Sequence, residues 1–402
     1  MKIGITTSVA QRGKTGIAQY LFGLLRALRA EATRHEFVLF VLREDRPLFQ
    51  FASDCMQILE VDEKFRPPVR DILWHQTALP LLARKHGLDI IHVPSYRRLI
   101  GVAPCARVAT IHDLAPFRVS RKYDPARMLY GKLVVKRLAH RQDEIITVSQ
   151  NTAADLQKFF GVDPSRVTVV HNGLDHERFH PNDRAASRER VSEKHSIIKP
   201  FFLYVARLEH PAKNHVRLIH AFNAFKKASG SEWQLVIGGS DWHGAEAIHE
   251  AAGTSPYARD IRMLGFVADA DLPDLYRAAD AFVYPSLYEG FGLPPVEAMA
   301  CGTPVVCSSR GALAEVVDNA ACIIDPESEQ SIQQGLEMIA CNEERKKALV
   351  AAGLRQARKF SWDTAAQATL NVYSRALSIS NSRAKARTLV NQAQPPVKQV
   401  NS

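Results

Sequence analysis

The stretch Ala281-Phe-Val-Tyr-Pro-Ser-Leu-Tyr-Glu289-Gly-Phe-Gly-Leu-Pro-Pro-Val-Glu297-Ala-Met-Ala-Cys-Gly302-Thr-Pro-Val-Val-Cys307 decides how this chain is read. The apolar run 281–284 reads as a buried strand that stops at Pro285. Gly290 and Gly292 lie on the turn after it, where a missing side chain lets the backbone come close to a ligand. Pro294 and Pro295 suit the entry of a helix, where an absent N–H costs nothing. Gly302 closes that helix, and Pro304-Val-Val-Cys307 resumes an extended run. Glu289 is therefore expected on the loop, and Glu297 in the first turn of the helix, beside backbone N–H groups without intrahelical partners. A helix start binds anions, phosphates above all, and a carboxylate on each side of it accepts hydrogen bonds from hydroxyl groups. A ligand with a diphosphate in the middle and polyols at both ends fits this pattern, and a nucleotide sugar is such a ligand.

The same alternation of strand and helix runs outward in both directions. Apolar, β-rich runs recur at 2–6, 37–42, 90–93, 108–111, 145–148 and 167–170, with amphipathic segments at 17–30 and 128–140. A second series follows at 201–205, 235–237, 261–264, 281–284, 305–307 and 322–324, with helical stretches at 215–228 and 272–279. Strands this apolar, alternating with helices, imply an α/β protein whose parallel sheets are covered on both faces. The expected organisation is an N-terminal Rossmann-like domain over 1–180 and a polar linker over 181–199. A second Rossmann-like domain over 200–361, a closing helix over 362–379 and a basic, disordered tail over 380–402 complete it. Two doubly wound domains place their crevices at the carboxyl ends of strands, facing a shared cleft.

Composition narrows the class. Hydrophobic content of 46% with 23% charged residues suits a soluble globular protein, and 402 residues suffice for two domains. No apolar run approaches the ~18–20 residues that span a bilayer. Six scattered cysteines without a C-x-x-C pair read as reduced thiols of a cytoplasmic protein. A net charge of +10 invites nucleic acid or an anionic membrane, but the excess is local. Eleven Lys/Arg lie between Arg97 and Arg141 against Asp113 and Asp124. Phe117, Tyr123, Leu129 and Tyr130 among them suit a peripheral contact with an anionic membrane surface; a solvated helix face is the plainer reading.

The spacing Glu289-x7-Glu297, enclosed by Gly-Phe-Gly-Leu-Pro-Pro and Glu-Ala-Met-Ala-Cys-Gly-Thr-Pro-Val, closely resembles the signature of glycosyltransferase family 4, retaining enzymes of GT-B fold. The resemblance implies that Glu289 holds sugar hydroxyls of the donor and Glu297 its ribose, with Gly290, Phe291, Gly292 and Leu293 binding the donor between them. Arg207 and Lys213, just past the strand 201–205, match an Arg and a Lys that stabilise the departing diphosphate. His112, in Thr110-Ile-His-Asp, would line the transfer site; a lone histidine at a strand end is more commonly a satisfied core residue. Gly16 aligns with a glycine-containing loop of the family. Gly238 and Gly239 admit the donor base or merely make a turn, and Asn172-Gly173 is likewise a common turn pair.

Among family members, the wording is most similar to that of bacterial mannosyltransferases of polysaccharide assembly. This favours GDP-mannose over UDP-sugars as donor, and a saccharide or lipid-linked saccharide as acceptor. No cofactor, no metal and no nucleic acid is expected. Asp269-Ala-Asp271 satisfies the D-x-D pattern of metal-dependent transferases, but its place before Leu272-Pro better suits a helix cap. Rival readings are a GT-B epimerase or phosphorylase, a nucleic-acid-binding protein, and a P-loop NTPase using Gly13-Lys14-Thr15. The last fails at Ser8, where that motif needs glycine.

Overall fold

The computed structural model describes residues 1–13, 15–118 and 125–393. Lys14, Arg121, Lys122, Tyr123, Asp124 and the tail 394–402 lie outside the described residues. Seven strands, β1 (Lys2–Thr6), β2 (Glu36–Leu42), β3 (Gln57–Val61), β4 (Ile90–Val93), β5 (Ala106–Ile111), β6 (Glu144–Thr147) and β7 (Val167–Val169), form one sheet in the order β3-β2-β1-β4-β5-β6-β7. Six more, β8 (Phe201–Val205), β9 (Gln234–Gly238), β10 (Ile261–Gly265), β11 (Ala281–Tyr284), β12 (Val305–Ser308) and β13 (Cys322–Ile324), form a second sheet in the order β10-β9-β8-β11-β12-β13. Every neighbouring pair is parallel. Parallel strands need crossover helices that cover both faces, so β2 is buried from Phe37 to Leu42.

Strand order reverses between β1 and β4, and again between β8 and β11. The loops after these four strands open at the two switch points, where doubly wound sheets bind ligands. Loops 206–214 and 285–292 bring Arg207, Lys213 and Glu289 there.

Three elements depart from expectation. β3 carries no strong strand signal in sequence because it is an edge strand, with the middle of Gln-Ile-Leu-Glu-Val only partly buried. The segment expected as a linker carries a helix, Arg184–His195, docked on the second domain. Arg184 and Arg188 pair with Asp280, and Arg190 with Asp274, so its polarity serves ion pairs. The closing helix runs Trp362–Ala393, well past 379 and into the segment expected to be disordered. It contains no glycine or proline to stop it.

That helix crosses back over the first domain. Val372, Tyr373 and Ala376 pack into the core that holds Ile3, Ile5, Leu21 and Leu24. Gly23 makes room for its first residue: a Cβ there would stand 2.1 Å from Trp362 Cε2. A second core fills the other domain around Phe202, Phe222, Phe225 and Phe282.

Candidate active site

Glu289 stands on the loop after β11, as its surroundings in sequence imply. Its Oε1 accepts hydrogen bonds from Lys213 Nζ at 2.5 Å, Ser286 Oγ at 2.6 Å and Tyr284 Oη at 3.0 Å. Lys213 reaches it from the loop after β8, and both side chains of this ion pair are 15% exposed. Tyr204 Oη donates to the Lys213 carbonyl at 2.6 Å and steadies that loop. Burial, then the neighbouring Glu289 carboxylate, push the Tyr204 and Tyr284 phenols well above their ordinary range, so both remain donors. Arg207 stands apart from this pair. Its guanidinium lies 4.9 Å over the Trp242 ring and donates to Glu209 at 3.2 Å.

Glu297 is not in the first turn of its helix. The helix is Leu293–Ala300 with Gly292 at the cap, which places Glu297 a full turn inside. Pro294 and Pro295 remove two of the N–H groups that such a start would offer. Glu297 is half-buried and accepts from Tyr276 Oη at 2.8 Å. Burial pushes its carboxyl up to about 7; Tyr276 and Arg178 pull it back, and Asp269 pushes further.

Gly290 serves packing between domains, whereas Gly292 makes room for Leu313 of its own domain. A Cβ on Gly290 would stand 2.0 Å from the His112 carbonyl oxygen and 2.7 Å from Asp113 Cβ, so this backbone approaches the first domain where a ligand was expected. Ser149 Oγ donates to the Gly290 carbonyl at 2.8 Å. Nearby, Tyr288 Oη donates to Asp155 at 2.6 Å, and the Gln150 and Asn151 N–H groups donate to Glu315 at 2.9 and 3.2 Å. Gly292 has φ +107°, open to glycine and strained for other residues. The Phe291 ring packs edge-on against Phe360 at 5.5 Å and near His171 at 6.0 Å. Leu293 is half-buried.

His112 follows β5 and faces this loop. Its Nε2 is buried and has no hydrogen-bond partner among the described residues. Burial pushes the imidazole down to about 4, against the pull of Asp113 and a bond to the Pro94 carbonyl, so the ring is neutral near pH 7. Tyr20 packs edge-on against it at 4.6 Å. Behind Tyr20, a buried chain runs from its Oη to Thr110 Oγ1 (3.1 Å), to His92 Nε2 (2.8 Å), and from His92 Nδ1 to Tyr373 Oη on the closing helix (2.8 Å). His112 is therefore not a core histidine with its bonds satisfied.

The remaining sequence candidates are placed less tellingly. Gly16 begins the helix Gly16–Leu28, capped by Thr15, and a Cβ there would meet nothing within 4 Å. Three residues on, Gln19 donates to Asp269 of the second domain at 3.1 Å. Gly238 ends β9, and a Cβ would stand 2.7 Å from Val267 Cγ2. Asp271 occupies the cap position of the helix Leu272–Ala278 but makes no capping bond; it pairs with Lys194 at 2.7 Å. Gly173 likewise packs closely, a Cβ there standing 2.2 Å from Trp362 N. Sequence reasoning passed over Ser286 and Tyr284, although both lie beside Glu289 in the quoted stretch. Tyr276 and Arg178 carried no signal, being brought to Glu297 only by the fold.

The basic segment is partly spoken for. Arg98, Arg107 and Arg118 pair with the buried Asp71, Asp143 and Asp155, and Phe117 stacks on Phe159 at 5.3 Å. Lys132, Lys136 and Arg137 are exposed beside Leu129, Leu133 and Val134, which are 58%, 54% and 42% exposed. Among the described residues no helix is long and apolar enough to cross a membrane.

Comparison with known proteins places this arrangement. Residues 14–178 match the model for Glycosyltransferase Family 4, and residues 187–356 the one described as Glycosyl transferases group 1. The chain is 28% identical over 392 residues to O-antigen chain mannosyltransferase B of Escherichia coli, covering 93% of this chain and 99% of that protein. It is 31% identical over 284 residues to the serotype-specific mannosyltransferase WbdA of Escherichia coli, covering 69% of this chain and 34% of that longer protein. Among solved structures, HepE of Anabaena in complex with UDP and glucose superimposes with a TM-score of 0.74 at 18% identity, over 93% of this chain and 99% of that one.

Proposed function

Since the chain belongs to glycosyltransferase family 4, we propose that it transfers mannose from GDP-mannose to a saccharide of a growing bacterial polysaccharide, with retention of anomeric configuration. The observation that carries this reading is the Lys213–Glu289 pair, held by Tyr284 and Ser286 at the switch point of the second sheet. The full-length likeness to an O-antigen chain mannosyltransferase supports mannose and a polysaccharide product. A UDP-sugar donor is the second reading, favoured by the likeness to a fold that holds UDP and glucose.

In this proposal Glu289 accepts hydrogen bonds from the sugar hydroxyls, and Glu297 from those of the ribose. The His112 Nε2 receives a further sugar hydroxyl as a neutral partner. Lys213, Arg207 and the N–H groups of the loop 290–293 take the charge that grows on the leaving diphosphate, the work that a divalent ion does elsewhere. The sugar–phosphate bond breaks as the acceptor oxygen bonds the same face of C1, and the departing phosphate oxygen takes the acceptor proton. Contacts such as Ser149–Gly290 close the domains and exclude water, which otherwise competes as acceptor.

The acceptor is carried on a lipid diphosphate, and the exposed face of Leu129, Lys132, Leu133 and Lys136 brings the enzyme peripherally to the membrane that holds it. The test is transfer by the purified protein with GDP-mannose and UDP-glucose in parallel, in EDTA, with product anomers read by NMR. Turnover of GDP-mannose in EDTA with an α-linked product from the α-linked donor is expected. Inversion, or activity only after manganese is restored, would overturn the mechanism.

A further inference from the structure

At the edge of the first sheet remote from the cleft, where strands begin, lies a cavity of about 650 Å³ between the segment 101–105, the residues entering β6 and β7, and the closing helix. Arg107, Arg141, Arg166 and Arg383 line it, with Asp143 as the carboxylate among them. Arg107 Nη1 donates to the Gly101 carbonyl at 2.7 Å, and Arg141 Nη1 would lie only 3.5 Å from a Cβ on that same Gly101, so two guanidinium groups converge. Arg383 pairs with Asp143 at 2.5 Å, and Arg107 with the same carboxylate at 3.5 Å. Arg166 is held in place by donating to the His140 carbonyl at 3.1 Å.

Arg107 is only 9% exposed, and its buried Nε has just the long 3.5 Å contact with Asp143 among the described residues. Burial pushes its pKa down, with Arg383 and Arg141 adding to that against the pull of Asp143. Arg107 and Arg383 share the Asp143 carboxylate, while among the described residues neither Arg141 nor Arg166 has a carboxylate within ion-pair distance, so the cavity carries an excess of positive charge that a bound anion would neutralise.

We propose that this cavity is a second ligand site, separate from the transfer site, which binds a phosphate-class anion. Arg107 and His112 sit at opposite ends of β5, so roughly 17 Å of strand separates the two sites. The volume lies within the ~300–1,000 Å³ typical of small-molecule sites, enough for a diphosphate or a sugar phosphate. Val102 and Ile379, 71% and 40% exposed, form an apolar rim on which a phosphate-bearing lipid headgroup would also rest.

Calorimetry on the full chain tests this, without added nucleotide because a nucleoside diphosphate would itself enter this cavity; the variant Arg141→Ser/Arg166→Ser separates binding here from any pyrophosphate held at the transfer site. Two probes are titrated separately: inorganic pyrophosphate, and dihexanoyl phosphatidylglycerol below its micelle concentration. Saturable binding of at least one is expected, weakened ~10-fold or more in Arg141→Ser/Arg166→Ser, since each loses a charged hydrogen-bond donor. Which probe binds identifies the source of the anion. Turnover and melting midpoint of the double variant should match the wild type, because neither residue belongs to the transfer machinery; Arg141→Ser alone serves if the pair melts early. Binding of neither probe by the wild type, or equal binding by the variants, would overturn the proposal.

Discussion

Affinity for the nucleotide should rise with pH, through Glu297. Burial holds this carboxyl up to about 7 in the empty protein, with Tyr276 Oη as its partner at 2.8 Å. A ribose diol presents two hydrogens, so the carboxylate binds it well and the protonated acid poorly. A group titrating near 7 is roughly one-tenth ionised at pH 6 and roughly nine-tenths at pH 8. Apparent affinity then rises ~10-fold, or ~1.4 kcal/mol, over that interval, because only the competent fraction binds. Calorimetry of GDP between pH 6 and 8 measures it, with Glu297→Gln as the control that retains the titration of the diphosphate itself. The wild type should also release a proton on binding near pH 6, seen as a dependence of the heat on the buffer. The sign for stability is opposite. The folded protein holds this proton more tightly than the unfolded chain, so the contribution is full in acid and is lost as pH rises through about 7. If wild type and Glu297→Gln show parallel affinity profiles, the carboxylate is not the titrating group and the reasoning fails.

Lys213→Ala and Glu289→Ala should each lower turnover a few hundredfold, ~3–4 kcal/mol of transition-state stabilisation, with the fold intact. Because the two side chains touch at 2.5 Å, the double variant should lose less than the sum, and strict additivity in a kinetic cycle would show that they act apart. Gly290→Ala forces a carbon to 2.0 Å from the His112 carbonyl and should hold the domains apart; turnover falling ~10–100-fold with little change in melting midpoint is expected, and normal turnover would mean that closure is dispensable. Changing Lys132, Lys136 and Arg137 together to Ser should weaken binding to anionic vesicles at low salt, each contributing ~1 kcal/mol. Sedimentation with vesicles checks it, and equal binding to neutral vesicles would leave this face as solvated surface. Arg118 is unsuited to that experiment, since it neutralises the buried Asp155.

What the sequence determined by itself follows from short-range physics. Short β-rich apolar runs such as Phe37–Leu42 and Ala281–Tyr284 read as buried strands, and their alternation with helical periods points to parallel, doubly wound sheets covered on both faces. Glu289 was legible for the same reason, because strand, proline and loop lie next to one another along the chain. Tertiary structure decided what depends on residues remote in sequence. Glu297 draws its raised pKa from burial beside Tyr276, within reach of Arg178 and Asp269, which no local pattern brings together. Gly290 reads in sequence as a flexible turn residue; that its missing Cβ makes room for the His112 carbonyl is decided by which surface the fold puts there. The polar segment 181–199 looked like a linker because its charges have no partners along the chain; Asp274 and Asp280, supplied by the folded second domain, make it a docked helix.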